Sequence, residues 1–222
     1  MNSKSKKDKL KLSDHYWKKN ANLFSNIYST KDILLLPNKL FLKQRMSVIQ
    51  EYINHDKNAT VLDMGCGSGE FANMLANYYG QVAAVDYSQI MIDLAQQGST
   101  KKNIIFYKAD CTQTTIDSHS IDHIFSLGLM DYVQDVDKVF DEFTRLLKKG
   151  GGLVFTIPKS PSLFAPLRWS TRIREKLFKI PPIVNSFSID EVEQILNKYN
   201  LQKVDVTSLW TTMWIIRAKQ RS

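Results

Sequence analysis

The stretch VLDMGCGSGE, residues 61–70, contains the features that decide the fold. Its apolar residues form the end of a predicted buried strand, ATVLDM, at 59–64. Three glycines follow at positions 65, 67 and 69, and apolar residues at helical spacing begin directly after them. Glycines at such a junction let the backbone turn tightly and approach a ligand, and the helix N-terminus offers unpaired N–H groups. The stretch therefore predicts a ligand-binding loop at the carboxyl end of a strand.

Short apolar runs and helical periods alternate from residue 58 onward. The predicted strands are 59–64, 81–86, 103–110, 121–130, 152–158, 201–208 and 211–218. The predicted helices are 69–79, 88–97, 135–148 and one that Ser188 opens, with Glu191 at capping-box spacing. We expect the third helix to end at the glycine run 150–152. This order predicts an α/β fold, a Rossmann-like doubly wound sheet of seven mostly parallel strands with the ligand crevice at their carboxyl ends.

The chain divides into a cover and one main domain. Residues 1–57 are predicted to form a basic tail and a helical cover, with the helical pattern over 10–55. Residues 58–222 are predicted to form the ligand-binding domain, and an irregular insertion at 159–187 lies on its substrate side. The sequence shows no internal repeat and no second domain.

The formal net charge of +8 is concentrated in two places. Residues 1–19 contain seven lysines and two aspartates, and residues 159–180 contain six basic residues and one glutamate, so each segment carries +5. A helix at 166–179 would present Arg168 and Arg172 on a basic side, where they are candidate substrate residues. Such clusters favour an anionic membrane, an acidic ligand or nucleic acid, although a solvated tail and helix face have the same pattern.

Composition narrows the class of protein and its compartment. No apolar stretch approaches the ~18 residues that a membrane-spanning helix needs. The basic N-terminus has no apolar run behind it, so no secretory signal is predicted. The two cysteines, Cys66 and Cys111, have neither metal-site nor disulfide spacing. We therefore expect a cytoplasmic protein without a bound metal.

An acidic residue ends each of the first three predicted strands. Asp63 can face a cationic group, Asp86 stands where ribose hydroxyls are usually bound, and Asp110 can accept from an adenine amino group. As alternatives, Asp86 could be a turn residue and Asp110 a helix cap. At an open strand end, Asp86 is expected to contribute to binding and not to stability. Glu70 occupies the third glycine position of the GxGxxG fingerprint, which suits a pyrophosphate badly but not a ligand with a sulfonium and an amino group.

The motifs VLDMGCGSG, VAAVDYS, YKADC, IDHIFSLGLMDYV and LLKKGGGLVFTIP resemble the class I S-adenosylmethionine-dependent methyltransferases across residues 58–218. The resemblance implies S-adenosyl-L-methionine as cofactor. Its methionine portion would lie in the glycine loop, its ribose at the end of the second strand, its adenine at the third strand and its methyl group beside the fourth. The residues implied are Asp63, Gly65, Cys66, Gly67, Asp86, Tyr87, Asp110, Cys111 and Leu127.

A looser resemblance covers the flanks of the domain. HYWKKNANLFSNIYS with NKLFLKQRM, and PKSPSLFAPLRWSTRIREKL after the fifth strand, are similar to small-molecule O-methyltransferases of the magnesium-protoporphyrin type. Tyr16 in this cover is a candidate cofactor contact and Tyr28 a candidate substrate contact. Tyr16 could instead pack on the sheet edge.

Methyl transfer depends mainly on holding the acceptor close and aligned, and a base is needed only where the acceptor must lose a proton first. Asp131 and Tyr132 follow the fourth strand and are the candidate residues near the transferred methyl group; a loop cap and a packed aromatic are the alternative roles. The Asn/Asp-Pro-Pro-aromatic sequence typical of base N-methylases does not follow this strand. We therefore predict methyl transfer to a small-molecule acceptor, on oxygen, that is anionic or partly apolar.

Three other functions stay open at this point. An RNA or protein methyltransferase could share the fold, so nucleic acid is disfavoured as a partner without being excluded. An NAD(P)-dependent oxidoreductase is disfavoured by Glu70 and by the lack of a Tyr-x-x-x-Lys pair after the fourth strand. A non-catalytic RNA- or membrane-binding module is disfavoured by the intact loop and its acidic residues. The oligomeric state is undetermined.

Overall fold

A seven-stranded sheet organises the protein, whose computed structural model describes residues 36–160, 185–210 and 212–221. The strand order is β3-β2-β1-β4-β5-β7-β6, with parallel pairing from β3 to β5 and antiparallel pairing of β7 with both neighbours. The strands are β1 Asp56–Met64, β2 Tyr79–Asp86, β3 Ile104–Lys108, β4 Ile121–Ser126, β5 Leu147–Pro158, β6 Leu201–Leu209 and β7 Met213–Gln220. The predicted Rossmann-like, mostly parallel sheet is confirmed.

Five described helices cover the two faces of this sheet. They are α1 Leu36–Gln50, α2 Glu70–Leu75, α3 Gln89–Gly98, α4 Val136–Leu146 and α5 Ile189–Lys198. Apolar residues of the first three pack on one face and those of the last two on the other, which gives two buried core clusters. Helix α1 is the described part of the predicted cover. None of the described helices combines the length and apolarity needed to cross a membrane.

The predicted helix 69–79 is too long at both ends. Gly69 has φ +86°, a left-handed conformation that a helix cannot include, so α2 begins at Glu70. The helix ends at Leu75 because Tyr79, almost fully buried, already pairs with Asp56 in the sheet. Burial of this tyrosine in the core outweighs the helical spacing of the residues before it.

The predicted end of the third helix at the glycine run is wrong. Helix α4 ends at Leu146, and the next residue begins β5, so glycines 150–152 lie inside the strand. They belong to a bulge, because Ile121 pairs with Leu147 while His123 pairs with Gly152. Gly150 adopts φ +73° there, so the glycines serve an irregular strand and not a helix cap.

The third and fourth strands end earlier than predicted. Strand β3 stops at Lys108 and β4 at Ser126, so Asp110 and Asp131 both lie on loops at the carboxyl edge. Gly128 has φ +83° and turns the chain away from β4, and its N–H donates to Thr156 Oγ1 at 2.7 Å. The candidate residues beyond these strands are therefore carried by turns.

The predicted capping box at the start of α5 is confirmed. The Ser188 hydroxyl accepts from the Glu191 N–H, and the Glu191 carboxylate accepts from the Ser188 N–H. The two side chains satisfy donors at the start of this helix that would otherwise lack partners.

Candidate cofactor site

The glycine loop between β1 and α2 is held against the neighbouring strand. Gly65, Gly67 and Gly69 all adopt positive φ, at +84°, +53° and +86°. The N–H groups of Gly65 and Cys66 donate to the Val85 carbonyl of β2 at 2.8 and 2.9 Å. The left-handed turns that the sequence predicts are therefore anchored at the carboxyl end of the sheet.

Two of the glycines serve different purposes. A Cβ added to Gly69 would lie 2.8 Å from Ala95 Cβ, so this position is needed for close packing against α3. A Cβ added to Gly67 would meet no atom of the described chain within 4 Å. Gly67 therefore borders open space, where a ligand can come close to the backbone.

Asp63 places a buried carboxyl group near the end of β1, just before the glycine loop. The residue is 2% exposed, and within the described chain its Oδ2 has no hydrogen-bond partner. Burial raises the pKa of Asp63 to about 8, with a further increase from the charge of Asp86 and a decrease from Arg45. A buried carboxylate oxygen without a partner is costly, and a cationic donor would satisfy it. The amino group of S-adenosylmethionine has this chemistry, so the residues present fit the cofactor that the sequence implies.

Arg45 is a site residue that the sequence analysis missed. It lies on α1 and is only 9% exposed, and its charge lowers the pKa of Asp63. Its Nη1 would lie 3.5 Å from a Cβ added to Gly128, at the turn after β4. Phe41, Arg45 and Ile49 share one side of the helix at four-residue spacing, so the available signal was a cation on an apolar face.

The Asp86 carboxylate, at the end of β2, hydrogen-bonds to the glycine loop and holds it in place. Its Oδ2 accepts from the Gly67 N–H and its Oδ1 from the Ser88 N–H, each at 2.9 Å. Burial raises its pKa, while these N–H donors lower it. Each carboxylate oxygen keeps further acceptor capacity for a ribose hydroxyl. These two hydrogen bonds to backbone donors argue against the expectation that Asp86 contributes to binding and not to stability.

The remaining predicted adenosine contacts lie at the ends of β2 and β3. Tyr87 is exposed, with Lys108 Nζ 5.9 Å from the centre of its ring. The Asp110 Oδ1 accepts from both the N–H and the hydroxyl of Thr112, so this carboxylate shapes its own turn. Burial raises the pKa of the Cys111 thiol to about 12, and burial likewise raises that of Cys66. Both cysteines are therefore neutral thiols at physiological pH.

The loop after β4 carries the two candidate catalytic residues. Leu127 is half-buried and packs on the face of the sheet that carries helices α1, α2 and α3. Asp131 is buried and Tyr132 is half-buried. The Tyr132 N–H closes a turn by donating to the Leu129 carbonyl at 3.0 Å. The structure thus places both candidates at the carboxyl edge, beyond the strand that adjoins β1.

Asn185 ties this loop to the chain that returns from the insertion. Its Nδ2 donates to the carbonyls of Met130 and Val133 at 2.9 and 2.6 Å. Together with the Gly128–Thr156 hydrogen bond, this holds the loop from two sides. The residue is a second one that the sequence analysis missed, because its partners are backbone carbonyls with no sequence signature.

Four predicted residues cannot be compared with the structure. Tyr16, Tyr28, Arg168 and Arg172 lie outside the described residues.

The central part of the chain matches a known protein family. The family model described as a methyltransferase domain matches residues 62–155, which run from β1 through most of β5. The match contains the glycine loop, the second and third strand ends and the loop after β4.

Curated relatives match over a similar region. The ubiquinone biosynthesis O-methyltransferase of Coxiella burnetii is 32% identical over 114 residues, which are 50% of this chain and 48% of that protein. The phosphoethanolamine N-methyltransferase 1 of Zea mays is 36% identical over 115 residues, 50% of this chain and 23% of that protein. The chain spans about half the length, or less, of these relatives.

Solved structures share the fold over nearly the whole chain. Magnesium protoporphyrin IX methyltransferase from Synechocystis PCC 6803, with bound SAH, has a TM-score of 0.76 at 16% identity, covering 96% of this chain and 99% of that one. A SAM-dependent methyltransferase from Aquifex aeolicus has a TM-score of 0.67 at 22% identity, covering 88% and 97%. The methyltransferase-domain match thus covers the central part of the chain, and the overall fold is that of the class I S-adenosylmethionine-dependent methyltransferases.

Proposed function

We propose that this protein transfers a methyl group from S-adenosyl-L-methionine to an oxygen atom of a small, anionic or partly apolar acceptor. The observation that carries the cofactor half is the buried Asp63 carboxyl group just before the glycine loop, whose Oδ2 has no hydrogen-bond partner within the described chain. The acceptor half is supported by the small-molecule O-methyltransferase among the relatives.

The chain's own residues would hold the cofactor at both ends. Asp63 would accept from its amino group, and Arg45, buried close to Asp63, would meet its carboxylate. Asp86 would accept from the ribose hydroxyls while keeping Gly67 in place, and Tyr87 would pack against the adenine. When bound, the cofactor supplies a methyl group on a positively charged sulfur, so no metal or covalent enzyme adduct is required for transfer.

The loop after β4 would hold the acceptor. Asp131 is buried at the carboxyl edge, where it could orient an acceptor hydroxyl or take its proton, and Tyr132 follows it on the same turn. A carboxylate acceptor would need no base, because it is already ionised at neutral pH. Alignment of the acceptor would then provide most of the acceleration.

Calorimetric titration of the full chain with S-adenosylmethionine, S-adenosylhomocysteine and NAD tests the cofactor half. We expect micromolar binding of the first two and none of NAD. Binding of NAD without any response to the methyl donor would refute the proposal.

Labelled methyl transfer to pooled acceptors tests the second half. The pools are carboxylates, phenols, amines and RNA, each with wild type and with Asp131→Asn. We expect label in a carboxylate or phenol pool. Label confined to the amine pool would favour N-methylation, as in the Zea mays relative's name, and label confined to RNA would move the protein to a different substrate class.

A further inference from the structure

The β6–β7 hairpin has an unusual residue at its tip. Trp210 follows β6 directly with φ +50°, in the left-handed region, and its side chain is 44% exposed. The neighbouring Thr212 N–H donates to the Leu209 carbonyl and closes the turn. Glycine and asparagine adopt this conformation cheaply, whereas a bulky side chain there is strained. Strain of this kind, held by the surrounding structure, points to a function for the side chain.

The first turns of α1 extend this apolar tip. Phe41 makes an edge-to-face contact with the Trp210 ring at 5.4 Å, and the Trp210 indole N–H donates to Gln44. Leu40, which precedes Phe41 on the helix, is 53% exposed. The aromatic ring is thus held in a fixed direction, with a second large apolar side chain nearby.

Basic groups lie on both faces of the hairpin at this tip: Lys43 is on the α1 face with Phe41, and Lys159 is on the opposite face with Trp214. Lys43 lies on the exposed side of α1, one turn from Leu40. The Lys159 N–H donates to the Thr212 carbonyl of the hairpin, and its ammonium lies 4.1 Å above the centre of the Trp214 ring. Leu40, Phe41, Lys43, Lys159 and Trp210 together are called the hairpin-tip surface below.

The described chain leaves at Ser160 and returns at Asn185, and both points lie next to the hairpin because Phe187 exchanges backbone hydrogen bonds with Pro158 and Ser160. Pro158 in turn pairs with Met213 at the base of the tip. The sequence between these points contributes most of the +5 counted over 159–180.

We propose that the hairpin-tip surface docks the protein on an anionic lipid bilayer. Exposed tryptophan and leucine suit the boundary between headgroups and acyl chains, and lysines beside them are attracted to anionic headgroups. The β6–β7 tip lies at the carboxyl edge of the sheet, since Met213 pairs with the last residue of β5. Docking would therefore turn the cofactor edge toward the lipid. The proposal does not depend on which acceptor is methylated.

Vesicle co-sedimentation of the full chain tests this surface. Vesicles of phosphatidylcholine alone are compared with vesicles that also contain phosphatidylglycerol, each at low and high salt. The test variants are Trp210→Asn and Leu40→Gln. The matched control is Ile105→Thr, because Ile105 is 50% exposed and lies on β3, at the opposite end of the sheet. Asparagine tolerates the left-handed conformation, so Trp210→Asn should unfold at no lower temperature than wild type.

We expect wild type and Ile105→Thr to bind the anionic vesicles, and high salt to weaken that binding. Trp210→Asn should weaken it about tenfold, since the aromatic anchor is lost, and Leu40→Gln should weaken it less. Equal binding by Trp210→Asn and wild type would overturn the proposal. Equal binding to neutral and anionic vesicles, or no binding by wild type, would also overturn it. A Trp210→Asn variant that keeps vesicle binding but binds a labelled acceptor more weakly would assign the surface to the acceptor instead.

Discussion

Asp63 shows most directly how a single residue connects the site to stability. Its pKa is raised from 3.8 to about 8 by burial, so the folded protein holds this proton over a range in which the unfolded chain has released it. The contribution of this carboxyl group to the free energy of unfolding is therefore fully present below about pH 4 and is lost as the pH rises toward 8. Its slope can approach about 1.4 kcal/mol per pH unit.

We accordingly predict that Asp63→Asn flattens the pH dependence of stability. Denaturant unfolding without cofactor, measured from pH 5 to pH 8, should show wild type losing stability and the variant losing clearly less. Asp93→Asn, on the exposed side of α3, serves as the control and should follow wild type. Parallel curves for wild type and Asp63→Asn would mean that the buried carboxyl does not titrate in this range.

Asp86 combines a binding role with a structural one. Asp86→Ala removes the acceptor for the Gly67 and Ser88 N–H groups, and leaving such donors unsatisfied costs about 1–3 kcal/mol each when they are buried. We predict that the unfolding temperature falls by about 4–8 °C, as roughly 2 kcal/mol does in a chain of this size. Calorimetry should also show cofactor binding weaker by about 2–3 kcal/mol. A normal unfolding temperature would contradict the structural role.

The loop between β1 and α2 allows binding and packing to be separated within one element. Gly67→Ala adds a methyl group in open space at φ +53°, whereas Gly69→Ala places one 2.8 Å from Ala95 Cβ. Left-handed strain of about 1–2 kcal/mol applies to both, and overpacking adds about 1–3 kcal/mol to Gly69→Ala alone.

We therefore predict opposite profiles for the two variants. Gly67→Ala should keep most of its stability and lose cofactor affinity, and Gly69→Ala should lose more stability. Thermal unfolding and calorimetric titration on the same preparations measure both. If Gly67→Ala bound the cofactor normally, the space beside it would not be the cofactor's place.

The loop after β4 depends on a side chain from a distant part of the sequence. Asn185→Asp keeps the shape of the side chain but removes the two N–H donors to Met130 and Val133. We predict faster amide hydrogen exchange over residues 127–133, with exchange in α5 unchanged. Unchanged exchange in that loop would show that other contacts hold it.

For the whole molecule, the cofactor should act as a stabilising ligand of the folded state. At a concentration 100 times its dissociation constant, a ligand adds about 2.7 kcal/mol to the free energy of unfolding. We predict that S-adenosylhomocysteine at such a concentration raises the unfolding temperature by about 5–10 °C and that NAD does not. Asp86→Ala should show a smaller shift at the same concentration, which links the effect to the site.

Much of the architecture could be predicted because local patterns and the global fold agree. Seven apolar runs became seven strands, and the stretch 61–70 became the glycine loop, since apolar runs buried on both sheet faces and glycine's conformational freedom are local properties. The predicted ends of helices were wrong where tertiary contacts outweighed the local sequence pattern. Tyr79 ended α2 early by entering the sheet, and glycines 150–152 lie in a bulge because β5 must keep its register with β4.

The sequence by itself determined the fold class, the glycine loop and the acidic residues at the strand ends, because these follow from periodicity, glycine positions and side-chain chemistry along the chain. Only the tertiary structure decided that Arg45 lies close to Asp63, that Asp86 holds the glycine loop, that Asn185 holds the loop after β4, and that Trp210 is exposed beside α1. Each of these relations joins segments that are distant in sequence. Only chain folding brings such groups close enough for charge, hydrogen bonding and packing to act between them.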